Sequence, residues 1–285
     1  MVPTAAYAAC QRIVRQAGTN FYLGMRLLPD HKRMAMYAVY AWSRLCDDAV
    51  DEYRGPEAEI KLREAESLLE RAMDDGWARD GHPVVVALGD AIRRFRLSPE
   101  PFWGLLEGMR IDLDRVRFQT VPELVQYCRK VAGTIGQLCV EIFGYTDQRA
   151  RAIAIDMGVA LQMTNILRDL REDVRRDRIY LPREDFEAAG YSVEDLAAGR
   201  VTPAFHRLLA LEVARTRAYY QRAAQLFPLI QRDARLCAQV LYAVYYELLA
   251  RIESSGFDVL RQRVRVPTRR KLQLMGALLW RRESG

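Results

Sequence analysis

Apolar residues recur at spacings of three and four along almost the whole chain, and no long segment alternates between apolar and polar positions. This periodicity is typical of helices rather than strands. We predict helices over residues 4–16, 32–52, 56–75, 83–96, 99–113, 121–144, 147–176, 203–226, 229–256 and 267–281. Glycine and proline interrupt the pattern between these segments, for example at Gly55-Pro56 and Gly144. Because the sequence has no repeat and no Gly/Ser-rich linker, we predict one all-α domain over residues 1–285.

The length, charge and cysteine content indicate an ordinary globular protein of 285 residues, half of them hydrophobic, with a formal net charge of +6. No apolar run approaches the roughly 20 residues that span a bilayer, and the first residues do not resemble a signal peptide. The five cysteines form no C-x-x-C pair, so we expect neither a zinc site nor a disulfide framework. Basic residues alternate with acidic ones, which argues against nucleic-acid binding. We therefore expect a soluble, cytoplasmic protein, whose oligomeric state the sequence does not specify.

The predicted helix over residues 32–52 carries a polar stripe on an otherwise apolar segment. Tyr40, Arg44, Asp47 and Asp51 are spaced by four, three and four residues, so they share one helical face. One turn of helix rises about 5.4 Å, which brings the carboxylates of Asp47 and Asp51 side by side, where they repel unless a cation lies between them. A divalent metal ion with oxygen ligands would supply that charge. A solvated acidic face explains this stripe equally well when the stripe is taken alone.

A second stripe, in the predicted helix over residues 147–176, repeats this spacing. Gln162, Asn165, Asp169 and Asp173 follow one another by three, four and four residues, with apolar residues on both flanks. Amide groups on an apolar helix are costly to bury without partners, and carboxylates add to that cost. Two such stripes predict opposite walls of one metal-binding cavity, and the pair is far more specific than either stripe alone.

A substrate that is both anionic and hydrophobic explains why acidic walls, arginines and apolar residues occur together. Carboxylates alone would repel a diphosphate, whereas Mg²⁺ ions between carboxylate and diphosphate oxygens attract it and stabilise the charge on a leaving diphosphate. Arg44, Arg168 and Arg263 are candidates for binding the remaining phosphate oxygens. The apolar residues would hold a hydrocarbon tail and exclude water from a carbocation. We therefore predict a magnesium-dependent enzyme that ionises allylic diphosphates.

Further blocks accompany the two stripes in a characteristic order. The sequence reads FYLGMRLLPDHKRMAMYAVYAWSRLCDDAVDE, LEGMRIDL, Tyr127-Cys128 with VAGTIG, QMTNILRDLREDVRRDRIYLPRED, and VYYELLARI followed by QRVRVPTRRK. In these blocks, which cover roughly residues 17–275, the chain resembles the squalene/phytoene synthase family, the head-to-head trans-prenyltransferases. The resemblance implies a single domain that folds as an isoprenoid-synthase-type helical bundle around a central cavity.

The resemblance also implies roles for individual residues. The implied metal ligands are Asp47, Asp51, Asn165, Asp169 and Asp173. The implied substrate contacts are Arg44, Gln162, Asn165, Arg168, Tyr245 and Arg263, and the implied catalytic set is Tyr40, Arg44, Asp47, Asp51, Tyr127, Asp169 and Asp173. The aromatic faces or hydroxyls of Tyr40, Tyr127 and Tyr245 would stabilise a cation. The implied cofactor is Mg²⁺, as two or three ions with Mn²⁺ as an alternative, and no nicotinamide cofactor is expected.

The implied reaction joins two identical prenyl diphosphates through a cyclopropylcarbinyl diphosphate and releases diphosphate, in carotenoid, squalene or hopanoid biosynthesis. The sequence does not decide between farnesyl (C15) and geranylgeranyl (C20) diphosphate, although Met25 is a candidate for the floor of the tunnel. An apolar product implies at most transient peripheral contact with a membrane, and we attribute the basic run over residues 261–271 mainly to phosphate binding and solubility. A terpene cyclase or another class I terpene synthase, and a non-catalytic scaffold protein, are the alternatives.

Some positions depart from the usual pattern of the family. Gly18, Thr19 and Asn20 stand where serines usually help to hold phosphate, and Thr19 is the expected substitute. Arg171 stands where a glycine is common, and we expect it to point to solvent. Residues 129–130, an arginine and a lysine, have no role that the sequence predicts.

Overall fold

In the computed structural model, which describes residues 3–17, 20–114 and 116–283, the chain folds almost entirely into helices. The α-helices are α1 (Pro3–Gln16), α2 (Asn20–Met25), α3 (Asp30–Asp51), α4 (Pro56–Met73), α5 (Pro83–Phe95), α6 (Glu100–Ile111), α7 (Val121–Cys128), α8 (Thr134–Phe143), α9 (Arg149–Arg175), α10 (Arg183–Ala189), α11 (Val193–Ala197), α12 (Pro203–Ala223), α13 (Arg232–Ser254) and α14 (Thr268–Glu283). A π-helical turn, Arg129–Gly133, joins α7 to α8, and 3₁₀ turns cover Trp77–Arg79 and Ala224–Leu229. No strand occurs in the described residues, where β-type pairing is limited to two isolated bridges. The predicted all-α class is therefore confirmed.

Each predicted long helix occurs, with ends that differ from the prediction by three residues or fewer. The segment predicted as one helix over residues 121–144 is continuous but contains the π-helical turn. The prediction missed three short helices, α2, α10 and α11. Helices of five to seven residues complete fewer than two turns, so the spacing of their apolar residues shows no clear period.

Short polar motifs set where some helices begin. At the start of α7, the Thr120 side chain accepts from the Glu123 backbone N–H while the Glu123 carboxylate accepts from the Thr120 backbone N–H. The side chain of Ser192 caps α11 by accepting from the Asp195 N–H. Thr202 caps α12 in the same way. These caps satisfy N–H groups that a helix leaves without partners in its first turn.

Close contact between α8 and α9 depends on glycine. A Cβ atom at Gly136 would lie 2.2 Å from the carbonyl oxygen of Ala154, and one at Gly158 of α9 would lie 2.3 Å from the carbonyl oxygen of Ala132, in the π-helical turn that precedes α8. Neither distance leaves room for a side chain, so the two helices approach backbone to backbone. This approach makes α8 and α9 adjacent walls of the same cavity.

The π-helical turn between α7 and α8 packs against α6. A Cβ atom at Gly108 of α6 would lie 2.6 Å from Cγ1 of Val131. Lys130 Nζ lies 3.0 Å from Glu107 Oε2, also on α6, while Arg129 is exposed. The two basic residues without a predicted role therefore stand on the outer side of this turn.

The interior is apolar, with one large cluster through the bundle and a smaller one between α13 and α14. Its largest fully buried side chains include Trp42, Tyr37, Phe102 and Phe205. The cysteines are unpaired, as expected, and all except Cys139 are buried. Within the described ranges, no helix combines the length and the apolar character that crossing a bilayer requires.

Candidate active site

A cavity of about 920 Å³ lies between α3, α8, α9 and α13, and its lining changes from polar to apolar along its length. From Asp173 to Ala154, the lining residues of α9 extend over about 28 Å at 1.5 Å per residue. The polar end is lined by Arg44, Asp47, Asp51, Asp112, Asn165, Arg168, Asp169, Asp173, Arg176, Arg178 and Arg263. The apolar end is lined by Cys139, Val140, Phe143, Ala154, Leu226, Ala238 and Leu241.

The structure brings every residue predicted for the site to this one cavity. These residues are Tyr40, Arg44, Asp47, Asp51, Tyr127, Gln162, Asn165, Arg168, Asp169, Asp173, Tyr245 and Arg263. The two polar stripes lie on α3 and α9, and we call them the first and second acidic walls. The predicted arrangement of opposite walls is thus observed, while the chemical role of each residue stays a prediction.

The first acidic wall exists because α3 has one face in the core and one face on the cavity. On the core side, Trp42 is fully buried, and its Nε1 donates to the carbonyl oxygen of Ala65 at 2.9 Å. On the cavity side, Arg44 and Asp47 are half-buried. The guanidinium of Arg44 forms an ion pair with Asp48, one residue beyond Asp47. Positive charge is therefore held next to the first acidic wall.

Asp51 is bound by two arginines that the sequence analysis missed. Nη1 of Arg176 and Nη1 of Arg178 each lie 2.9 Å from Asp51 Oδ1. Arg178 is buried, and its Nη2 also donates to the carbonyl oxygens of Val50 at 2.6 Å and Asp112 at 2.9 Å. These contacts connect the end of the second acidic wall to the end of the first.

A turn after α9 places these arginines. The backbone of Asp177 has a φ of +57°, in the left-handed region. The N–H of Arg178 donates to the carbonyl oxygen of Asp173 at 2.8 Å, which closes the turn. Helical spacing does not predict the position of Arg176 or Arg178, because both lie beyond the last residue of the helix. The only sequence feature that could have indicated these two arginines is the block QMTNILRDLREDVRRDRIYLPRED, which contains both.

The second acidic wall carries its own positive charges. Asp169 Oδ1 accepts from Arg168 Nε at 2.8 Å and lies 2.9 Å from Nε of Arg263. Nη1 of Arg263 also lies 3.7 Å from Glu172 Oε2. Two of the three arginines predicted to bind diphosphate, Arg168 and Arg263, therefore meet at Asp169, at the polar end of the cavity.

Asp47 and Asp173 lie where burial disfavours their charged form. Burial, followed by the charge of Asp51, raises the pKa of Asp47 to about 7. Burial, followed by the charge of Asp169, raises the pKa of Asp173 to about 8. Asp51 also contributes to the raised pKa of Asp173, so carboxylates repel across the cavity as well as along each helix. This end of the cavity therefore favours a bound cation.

Asp112 joins the site through two tyrosines. It is buried, and it accepts from the hydroxyls of Tyr127 at 2.8 Å and Tyr180 at 2.7 Å. The two rings stack with their centroids 5.0 Å apart. Burial raises the pKa of Tyr127, so the hydroxyl keeps its proton and donates it to Asp112. Asp112 and Tyr180 were missed because neither lies on a polar stripe, although both belong to the quoted family blocks.

Aromatic residues lie between the two ends of the cavity. The ring of Phe21 is 5.8 Å from that of Tyr40 and 6.0 Å from that of Tyr245. Tyr245 is buried, and the side chains of Asn20 and Asn165 lie beside its hydroxyl. Burial raises its pKa, so the hydroxyl remains neutral. These rings would present aromatic faces to a cation formed beside the acidic walls.

The polar end fits magnesium and diphosphate. Asn165 Oδ1 is buried and has no hydrogen-bond partner in the described structure, so an oxygen acceptor is available to a cation. Carboxylate and amide oxygens are the ligands that Mg²⁺ prefers. Among the residues described, no three His, Cys, Asp or Glu side chains converge to hold a metal by themselves. Ions bound between the walls would therefore take further ligands from diphosphate oxygens and water.

The expectation that Met25 forms the floor of the tunnel is wrong. Met25 is buried in the core and does not line the cavity. The preceding residue, Gly24, packs closely on Leu241 of α13, and Leu241 lines the cavity instead. The apolar end is therefore formed mainly by residues of α8 and α13.

The positions that depart from the family pattern have different environments. Arg171 is exposed, as expected, and its Nη1 donates to the carbonyl oxygen of Arg261 at 2.6 Å. Gly18 and Thr19, including the expected serine substitute, lie outside the described residues. Asn20 lines the cavity beside Tyr245.

The basic run near the C-terminal end of the chain contributes partly to the cavity. Arg263, Arg265 and Lys271 line it. Arg270 instead forms an ion pair with Glu247 of α13, at 3.1 Å. Lys271 and Arg265 were not predicted as site residues, since a basic run without periodicity does not indicate which of its members face inward.

Comparisons with known proteins agree with this geometry. A family model described as squalene/phytoene synthase matches residues 14–270. Phytoene synthase of Arthrospira platensis is 36% identical over 286 residues, which cover 95% of this chain and 91% of that protein. The 15-cis-phytoene synthase of Synechocystis sp. is 38% identical over 282 residues, which cover 94% of this chain and 82% of that protein.

Solved structures are similar over nearly the whole chain. A dehydrosqualene synthase crystallised in complex with a ligand has a TM-score of 0.87 and 28% identity, covering 99% of this chain and 98% of that one. Squalene synthase HpnC from Alicyclobacillus acidocaldarius has a TM-score of 0.82 and 30% identity, covering 90% and 95%. These matches confirm the predicted isoprenoid-synthase-type bundle and the prediction of a prenyltransferase. The chain, with both acidic walls inside the matched residues, belongs to the squalene/phytoene synthase family.

Proposed function

We propose that this prenyltransferase joins two prenyl diphosphates head to head in a magnesium-dependent reaction that releases diphosphate. The observation that carries this proposal is that two acidic walls face each other at one end of a cavity whose other end is apolar. Relatives named phytoene synthase and dehydrosqualene synthase support the head-to-head class of product. The acidic walls suit the diphosphate groups, and the apolar end suits the hydrocarbon tails.

Magnesium would be held by residues of both walls. The proposed ligands are Asp47, Asp51, Asn165, Asp169 and Asp173. When bound, Mg²⁺ supplies the positive charge that attracts the diphosphate and stabilises the negative charge on the departing group. The proposal is two or three ions, with Mn²⁺ as an alternative, because the walls offer more oxygens than one octahedral ion needs beside its substrate ligands.

The arginines and aromatic residues would orient the substrates. Arg44, Arg168 and Arg263 bind phosphate oxygens that the acidic walls would otherwise repel. The C–O bond of one allylic diphosphate breaks, and the double bond of the second molecule attacks the cation that remains. Loss of a proton then leaves a cyclopropylcarbinyl diphosphate. The rings of Tyr40 and Tyr245 lie where they stabilise that cation, and the apolar lining excludes water from it.

We further propose geranylgeranyl diphosphate (C20) as the preferred substrate and phytoene as the product, in carotenoid biosynthesis. The support is the identity of 36% and 38% to proteins named phytoene synthase. The second ionisation, at the cyclopropylcarbinyl diphosphate, would use the same acidic walls. Because formation of phytoene needs no reductant, no nicotinamide cofactor is proposed.

An assay with both tail lengths tests this function. Purified protein is incubated with Mg²⁺ and either C15 or C20 diphosphate, and the extracted product is identified by mass spectrometry. We expect a C40 hydrocarbon from the C20 substrate and no product when EDTA replaces Mg²⁺. Product from neither substrate would favour a non-catalytic scaffold protein, and a cyclised monomer would favour a terpene cyclase.

Removal of a wall carboxylate should stop the reaction without unfolding the protein. We expect Asp47→Ala or Asp169→Ala to lower kcat by at least about 100-fold, since each removes charge that positions the leaving group. Asp147→Ala, at a partly exposed site outside the cavity, is the matched control and should keep wild-type activity. Circular dichroism checks the fold, and substantial activity in either wall variant would contradict the two-wall site.

We also propose transient peripheral contact with a membrane, through α14. This helix exposes Leu272, Leu279 and Trp280, while Lys271 near its start lines the cavity. An apolar product leaving beside α14 would pass directly into lipid. Flotation with vesicles tests this contact, and Leu272→Ser/Leu279→Ser should weaken it. Equal flotation of the wild type and the variant would contradict the assignment to α14.

A further inference from the structure

A second pocket lies on the outer side of α2, separate from the catalytic cavity. Its volume is about 510 Å³, and it is lined by Gln11, Arg15, Tyr22, Arg26, Arg33 and Tyr37. None of these six residues lines the catalytic cavity. Asn20 and Phe21, at the start of α2, line the catalytic cavity instead, so α2 lies between the catalytic cavity and the second pocket. We call this second pocket the arginine pocket.

The arginine pocket concentrates positive charge from three parts of the chain. Arg15 comes from α1, Arg26 follows α2, and Arg33 comes from α3. Arg33 lies 2.6 Å from Asp30 and donates to the carbonyl oxygen of Leu28 at 3.2 Å. In the described structure, neither Arg15 nor Arg26 has an ion-pair partner, and no carboxylate lines the pocket. Guanidinium groups gathered without an anion repel one another, so an anionic ligand would stabilise this arrangement.

Tyr37 provides independent evidence for a ligand. Its side chain is only 1% exposed and lines the pocket, and its ring stacks on Tyr22 with centroids 6.0 Å apart. Its hydroxyl forms no hydrogen bond with any residue of the described structure and is the part of this otherwise buried side chain that remains accessible from the pocket. By contrast, the buried hydroxyls of Tyr7 and Tyr127 donate to Asp90 at 2.7 Å and to Asp112 at 2.8 Å. A buried polar side chain normally has a partner, so the Tyr37 hydroxyl is a donor available to a ligand.

We propose that the arginine pocket binds a phosphate-bearing anion. The guanidinium groups of Arg15, Arg26 and Arg33 contribute paired N–H donors, which match the oxygens of a phosphate group better than a single ammonium does. The hydroxyl of Tyr37 donates one further hydrogen bond from the inner wall. Free inorganic phosphate or diphosphate and the headgroup of an anionic phospholipid offer the same chemistry, and separate experiments distinguish these sources.

Calorimetry with the full-length protein tests the soluble source. Inorganic diphosphate is titrated in EDTA, so that metal-dependent binding at the acidic walls does not contribute. We expect Arg15→Gln/Arg26→Gln to weaken binding by at least about tenfold, since two charge-assisted contacts are lost. Tyr37→Phe should weaken it by about 3- to 10-fold through loss of one hydrogen bond. Arg168→Gln/Arg263→Gln, in the catalytic cavity, should leave this binding unchanged.

Arg12→Gln is the matched control, because Arg12 is an exposed arginine of α1 that does not line the arginine pocket. It removes one positive charge from the helix that carries Arg15 and should leave the affinity within about twofold of wild type. An equal loss of affinity in Arg12→Gln would overturn the proposal, because binding would then reflect net charge alone. Because Arg15 and Arg26 are exposed, the double variant should keep the wild-type fold, and thermal unfolding verifies this.

Sedimentation with vesicles tests the lipid source. Vesicles of phosphatidylcholine with and without phosphatidylglycerol are mixed with wild type, Arg15→Gln/Arg26→Gln and Arg12→Gln. Binding through the arginine pocket requires phosphatidylglycerol and is lost in the double variant alone, whereas contact through α14 is retained in all three. A loss specific to the pocket variants in either experiment supports the site. The absence of such a loss in both experiments overturns it.

Discussion

Asp112 shows how a single buried side chain organises the polar end of the cavity. It accepts from two tyrosine hydroxyls, and its backbone carbonyl accepts from Arg178, which in turn binds Asp51 of the first acidic wall. The charge of Asp112 also contributes to the raised pKa of Asp47 and Asp173. This residue therefore influences both walls while belonging to neither.

Asp112→Asn should destabilise the fold and slow catalysis. The amide accepts through one oxygen only, so one tyrosine hydroxyl loses its acceptor, at a cost of about 1–3 kcal/mol in the free energy of unfolding. Asp114→Asn, two residues further on and exposed, is the matched control and should change that free energy by less than about 0.5 kcal/mol. Urea unfolding measures both variants. Equal stability of Asp112→Asn and wild type would contradict the role of this network.

Glu212 should make the stability of the protein depend on pH. Burial, and then the neighbouring Asp185, raises the pKa of Glu212 to about 8 from an ordinary value of 4.5, although Arg215 opposes the shift. Between these values the folded protein holds a proton that the unfolded chain has lost. The free energy of unfolding therefore decreases as the pH rises, by up to about 1.4 kcal/mol per pH unit.

Glu212→Gln should remove this contribution, because its amide stays neutral at every pH. Thermal unfolding of wild type and variant, followed between about pH 5 and 8, should show a smaller decline in Tm for the variant. Glu194→Gln, at an exposed position of α11, is the control and should follow the wild type. Parallel curves for wild type and Glu212→Gln would show that the carboxyl is charged in the folded protein.

At the scale of elements, the contact between α8 and α9 determines the spacing of these two helices where they line the cavity. The glycines of the VAGTIG block permit that contact, and the π-helical turn before α8 packs on α6. The sequence analysis noted the block only as part of the family resemblance. The reason for its glycines is spatial, since a Cβ atom at Gly136 would overlap a carbonyl oxygen of the facing helix.

Gly136→Ala should force the two helices apart. We expect a loss of about 1–3 kcal/mol in the free energy of unfolding from overpacking, with a lower kcat because α9, which carries the second acidic wall, shifts. Gly276→Ala in α14 is the matched control, since no described atom lies within 4 Å of a Cβ atom there. That variant should gain about 0.5–1 kcal/mol from helix propensity. Urea denaturation measures the free energy of unfolding of both variants. We expect it to decrease in Gly136→Ala and to increase in Gly276→Ala.

At the scale of the whole molecule, the depth of the apolar end decides which tail length fits. Ala238 of α13 lines that end and is 1% exposed. We expect Ala238→Met to lower kcat/KM for the C20 substrate at least about tenfold more than for the C15 substrate, because it fills space that only the longer tail reaches. Kinetics with both substrates measures this ratio.

Ala234→Met provides the control for Ala238→Met. Ala234 is equally buried and lies one turn earlier on α13, but it does not line the cavity. This variant should lose stability through overpacking without changing the preference between C15 and C20. A similar change of preference in both variants would mean that the apolar end does not select the tail length.

The extent of the domain over residues 1–285 stays a prediction.

The sequence by itself determined the long helices, the two acidic walls and the family. These features depend on spacing within one helix or on blocks of neighbouring residues, and local geometry translates both directly. Even so, the spacing of the acidic residues did not predict that Arg176 and Arg178 bind Asp51. The long helices were predicted from the period of their apolar residues. Short helices such as α2 were missed because they have too few turns to show that period.

Only the tertiary structure decided which side chains meet. Arg178 and Asp51 are 127 positions apart, and Arg178 reaches Asp51 because the chain turns at Asp177 after α9. Met25 has the character expected of a tunnel floor, yet the packing of α2 on α13 leaves it in the core. The arginine pocket likewise collects residues from three separate helical segments. The physical reason is the same in each case: the direction of a side chain follows from packing between elements, which spacing along the chain does not specify.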